Sequence, residues 1–174
     1  MVLGMSVATY TFVHALISLV GIGSGLAVMY GFLTSKRLDA MNALFLITTV
    51  ATSVTGYGFP FEHLLPSHIV GAISLVVLAV AIPARYMFHL AGSWRWIYVA
   101  TSAAALYFNI FVLVVQCFLK VPALKVLAPT QKEPPFVITQ LVVLVLSVGV
   151  SIVAARRFRV ERAIPQEIKS PRAA

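Results

Sequence analysis

Acidic side chains are scarce in this chain: five of 174 residues, none inside a long apolar run. A proton or ion carrier would place an ionisable group at mid-membrane depth, so this scarcity weakens that reading. There is one cysteine, Cys117, and it stands within an apolar run. One cysteine forms neither an internal disulfide nor a CxxC pair, which excludes intramolecular thiol–disulfide exchange; Cys117 reads as a small buried hydrophobe. No Lys or Arg precedes Lys36. A cleavable signal peptide needs a positive amino-terminal region, so the first apolar run is expected to be retained. No glycosylation sequon occurs, which leans toward a bacterial membrane.

What is abundant is apolar. Hydrophobic residues make up 60% of the chain and charged residues 10%, against about 25% charged in soluble domains. Lipid is therefore the expected solvent for most of the surface. The net charge of +8 does not indicate nucleic acid, because the basic residues lie between and after apolar runs rather than in a stripe interleaved with aromatics.

A membrane span needs roughly 20 mostly apolar residues. Five runs qualify, at about 7–33, 40–57, 68–82, 97–119 and 136–155. The expectation is an all-α bundle of five transmembrane helices forming one domain over residues 1–160, with a charged tail at 161–174. Ser67 is the expected N-cap of the third helix, Pro83 its expected end or kink, 84–95 a loop and 120–135 a proline-rich loop. Gly21 and Gly25 form a GxxxG pair, and Ser147 and Ser151 a second small-xxx-small pair, both suited to close helix packing. The second run is rich in hydroxyls, with Thr52 and Thr55 near its end, and Asn109 and Gln116 share a face of the fourth. These polar groups are expected to bond between helices, with a ligand contact as the sharper alternative.

With five spans the termini lie on opposite sides. Lys36, Arg37, Arg85, Arg95 and the tail cations then share one side, and only Lys120, Lys125 and Lys132 the other, ten against three. The positive-inside rule makes the first side cytoplasmic and the N-terminus external. Arg85 and Arg95 read as anchors that snorkel to the inner interface. His14, about 10 Å deep at the helical rise, then shares the outer half with His63, His68 and Glu62. Neutral imidazole ligates metals and haem iron, so this group is the candidate site for a metal, haem or a quinone head group. The alternative is structural: His63 and His68 sit in headgroups and water, and His14 bonds a hydroxyl of the second helix. No HxxxH or HExxH fixes a ligand geometry.

Residues 55–68, Pro83-Ala-Arg-Tyr86, Trp94-Arg-Trp-Ile-Tyr98, the stretch from Asn109 to Gln116 and the stretch from Ala128 to Phe136 together resemble an uncharacterised family of small bacterial inner-membrane proteins. The resemblance implies a multi-pass protein of the bacterial inner membrane and brings no activity. The spacing does not resemble the cytochrome b561 family, which pairs haem-ligating histidines near both faces, since His89 stands alone at the inner end. Three functions follow from the residues. The first is a non-enzymatic accessory, scaffold or assembly partner of a membrane complex, meeting lipid, other membrane subunits or its own copies. The second is a redox, metal-, haem- or quinone-binding protein using the outer histidines. The third is a small-solute or proton carrier along the Thr-rich helix and Asn109/Gln116. No catalytic motif is present, and the leaning is away from an enzyme.

Overall fold

The computed structural model describes Val2, residues 4–59 and residues 66–158. Its elements are α1 (Val7–Leu33), α2 (Asp39–Gly56), α3 (Pro66–Tyr86), α4 (Trp94–Lys120), the short α5 (Pro122–Leu127) and α6 (Pro134–Arg157). Four of these, all but α2 and α5, are long and apolar enough to cross a membrane. α2 has 18 residues and carries Asp39, Asn42, four threonines and Ser53, which dilute its apolar content. Aliphatic side chains stand on the outside as well as the inside. Phe12, Leu16, Ile47, Val76, Val145 and Leu146 are all more than half exposed, a surface that suits lipid and would associate in water.

Local chemistry sets the helix ends. Ser6 caps α1, its hydroxyl accepting from Thr9 N–H at 3.1 Å. At the other end Ser35 takes a positive φ, Ser35 N–H bonds Phe32 O and Lys36 N–H bonds Gly31 O at 2.8 Å, the paired closure of a Schellman turn. Gly31 is needed there, because a Cβ would sit 2.9 Å from Lys36 O. Glu133 precedes α6, and its carboxylate accepts from the N–H and hydroxyl of Thr130 and from Lys132 N–H.

Three expectations need correcting. Ser67 does not cap α3: the helix begins one residue earlier at Pro66, whose fixed φ suits a first turn. Pro83 does not end α3, which continues to Tyr86. A proline one turn from a helix end withdraws a single hydrogen bond, and the last turn is held instead by Met87 and Phe88 N–H on Pro83 O and by Leu90 N–H on Ala84 O. The 120–135 loop contains α5, started by Pro122 in its first turn.

The extra turn of α3 changes the role of Arg85. Rather than snorkelling outward, Arg85 is buried, ion-paired to Asp39 at the start of α2, with its guanidinium 5.3 Å from the centre of the Tyr98 ring. Tyr98 donates to Asn42 Oδ1 at 2.6 Å. Ser35 donates to Arg157 O at 2.5 Å, and Phe32 packs on Tyr98 and Phe158. The α1–α2 turn, the α3–α4 turn and the end of α6 thus meet at one end of the bundle.

Towards the middle, α1 lies against α2 and α4. A Cβ on Gly25 would stand 2.7 Å from Leu106 and 2.8 Å from Phe45, and one on Gly21 would stand 3.2 Å from Thr48 Oγ1. Phe45 and Leu106 are themselves buried. Gly25→Ala is therefore expected to destabilise the purified protein by about 1–3 kcal/mol through overpacking. Gly23, with nothing within 4 Å of its Cβ position, should accept alanine without loss. Thermal unfolding of the two variants in the same detergent checks the pair.

Candidate functional site

A chamber of about 640 Å³ opens between α1, α2, α3 and α4 at the end opposite the Arg85–Asp39 pair. Hydrogen bonds fix which residues share a level. His14 on α1 meets Thr55 on α2 at 2.8 Å, and Asn109 on α4 meets Thr49 on α2 at 3.2 Å. α1 and α3 run away from the chamber mouth and α2 and α4 run towards it, so depth is counted outward along α4. From Asn109 outward, Gln116 is about 10 Å further and Lys120 about 16 Å further, at 1.5 Å per residue. All three line the chamber, with Asn109 at its floor and Lys120 at its mouth.

The walls combine an apolar band from Leu19, Ile22, Val112 and Leu113 with aromatic faces from Tyr57, Phe59 and Phe108. His14 and Tyr10 both meet Phe59 edge-on, with ring centres 5.2 and 4.9 Å apart. Tyr10 donates to Thr55 O at 2.7 Å. His68 is buried, its ring stacked on Tyr57 at 5.5 Å, and its carbonyl accepts from the Tyr57 hydroxyl at 2.6 Å. Ser53 and Ser74 pair across α2 and α3 at 3.2 Å. A second concavity, an apolar groove of about 710 Å³ along α2 and α3, is lined by residues such as Leu46, Ile47, Val50 and Ile82 and carries little polar chemistry.

Two groups in the chamber have their hydrogen-bonding polarity set. Thr55 Oγ1 donates its hydrogen to Ala51 O at 2.6 Å. Towards His14 it therefore accepts, and His14 Nδ1 carries the hydrogen. In the neutral ring this leaves Nε2 as a bare acceptor. Thr52 Oγ1 is buried and makes no hydrogen bond among the described residues, whereas Thr48 and Thr55 bond carbonyls of α2 itself and Thr49 and Ser53 bond across to α4 and α3. Its burial keeps this oxygen out of contact with the open space, so it is an unanswered group behind the chamber wall.

The structure therefore places His14, His68, Thr52, Asn109 and Gln116 around one space. Thr55 stands behind His14 as its partner. His63 and Glu62 lie outside the described residues. Among the described residues no three His, Cys, Asp or Glu side chains are grouped to hold a metal ion. Gly21 and Gly25 face the packed interior. Ser147 and Ser151 are half-buried on α6, where Ser151 donates to Ser147 O within the helix at 2.5 Å. Sequence reasoning missed the aromatic walls, Ser18, Ser74, Lys120 and the half-buried Cys117 as chamber residues. The available signal was spacing: Ser18 stands one turn from His14, and Lys120 one turn from Gln116.

Because Thr52 Oγ1 is buried without a partner among the described residues, Thr52→Val should not destabilise the protein and should gain up to about 1 kcal/mol. Asn109→Ala removes the bond to Thr49 and should cost about 1–3 kcal/mol. Thermal unfolding of both variants in one detergent distinguishes these outcomes.

Comparison with protein-family models, with curated proteins and with solved structures gives no match.

Proposed function

We propose that this chain is a multi-pass membrane protein that binds a small amphipathic molecule in the chamber between α1 and α4. The observation that carries this reading is the chamber itself. It is of a size suited to small ligands, has apolar and aromatic walls, and is lined by His14, whose Nε2 is left as an acceptor. The five long helices, α2 included, are proposed to span a bacterial inner membrane with the N-terminus outside and the C-terminus in the cytoplasm. Support comes from the positive-inside rule together with the meeting of Lys36, Arg37, Arg85 and Arg157 at one end of the bundle. The packing around α2 supports its inclusion: it lies between α1 and α3, and its Asp39 is paired. The chamber then opens outward.

Of the ligands considered for the outer histidines, a quinone-like or other neutral amphiphile fits these walls better than a metal ion, since among the described residues no three His, Cys, Asp or Glu side chains are grouped around His14. A second reading, an accessory or assembly subunit, draws support from α6. Its buried residues are Gln140 and Ala154, and its remaining aliphatic surface is open to lipid or to another helix.

Cys117 lines the chamber and is the chain's one cysteine, so it serves as a built-in reporter. A membrane-impermeant methanethiosulfonate should modify it in right-side-out vesicles and leave it intact in sealed inverted ones. The opposite pattern would overturn the orientation. In nanodiscs, para-octylanisole, a neutral amphiphile, should slow alkylation of Cys117 by N-ethylmaleimide. An unchanged rate with this probe and with its phenol counterpart would overturn the binding reading.

A further inference from the structure

We infer that the chamber selects a head group bearing a hydroxyl donor on an aromatic ring: a phenolic or quinol-like amphiphile. This rests on the chamber reading above and narrows it to one ligand chemistry. The argument starts from hydrogen-bond polarity. Thr55 has one hydrogen and gives it to Ala51 O, so His14 donates through Nδ1 and presents Nε2 as an acceptor. A bare acceptor facing a largely apolar space is satisfied by a ligand that donates, and a ligand with only carbonyl or ether oxygens leaves it unpaired.

The second part of the argument is shape and surface. Phe59 stands edge-on against the His14 ring, and Tyr57 and Phe108 line the same space. Such walls favour a ring over a bare alkyl alcohol, since aromatic pairs gain from offset and edge-on contacts. Gln116 can donate to or accept from a second oxygen on the ring. Leu19, Val112 and Leu113 receive the alkyl part. His14 is then the residue that reads the head group, and Thr55 is a positioning residue that acts through it by fixing the tautomer.

The test uses the full chain in nanodiscs, with protection of Cys117 from N-ethylmaleimide as the readout. The probes are para-octylphenol and para-octylanisole at equal membrane loading, two molecules that share ring and tail and differ in the donor hydrogen. The phenol is expected to protect at about tenfold lower concentration, the ratio that one hydrogen bond of about 1.4 kcal/mol confers. His14→Phe keeps a ring against Phe59 and should bring the phenol down to the anisole value while leaving anisole protection in place. Thr55→Val removes the tautomer lock without touching His14 and should also shrink the preference. It gives a second route should His14→Phe fail to fold. Equal protection by the two probes in the wild-type protein overturns the hydroxyl-donor inference and leaves the chamber reading standing. A preference that survives both substitutions overturns the assignment to His14. Absence of protection by either probe removes the chamber reading and the inference together.

Discussion

A polar group inside hydrocarbon has no water to return to, and the arrangement of this bundle depends on that constraint. Most hydroxyls meet it within their own helix, as Thr11 does on Val7 O, Ser24 on Val20 O, Thr101 on Ile97 O and Thr139 on Pro135 O. The amides have more to satisfy, and they also tie helices together. Asn109 holds α4 to α2 through Thr49, and Asn42, receiving from Tyr98, does the same nearer the other end. Arg85 and Asp39 form the most demanding pair. The guanidinium is buried while the carboxylate is largely open, its side chain 68% exposed, so the full penalty of a dry ion pair does not apply. Against this background His14 Nε2 stands out as an acceptor on the chamber wall, and Thr52 Oγ1 as a buried hydroxyl with no bond among the described residues.

The close approach of α1 depends on what α1 leaves out. With no side chain at Gly21 and Gly25, Phe45 from α2 and Leu106 from α4 reach the α1 backbone at the middle of the bundle. This contact lies near the Asn109 floor of the chamber, so a packing feature limits how far inward the open space extends. The open chamber and the packed core are thus adjacent parts of one four-helix arrangement.

Much of the helical architecture was legible in the sequence, because an uninterrupted apolar run leaves a chain in lipid little choice but to close its backbone bonds internally. Residues 7–33 mark α1 to the residue. Ends were legible only where a strong local signal stood alone. At Pro83 two tendencies competed, and the local proline signal lost to the hydrogen bonds and ion pair that the next turn could make. The shared face of Asn109 and Gln116 follows from helical period, but the meeting of His14 with Thr55 depends on the register between two helices. The chamber's aromatic walls were hidden for the same reason. Tyr57 and Phe59 come from one stretch and Phe108 from another, and nothing in either announces the other.

The attachment of α6 has a consequence for how this protein tolerates change. Gln140 Nε2 donates to Phe111 O, and Gln131 Nε2, from the turn before α6, donates to Val115 O, both backbone carbonyls of α4. A carbonyl is present whatever side chain its residue bears. The side chains at 111 and 115 are therefore free to drift in sequence while the two glutamines keep finding the same acceptors, and on the α4 face side-chain identity matters instead where Phe118 meets Phe136.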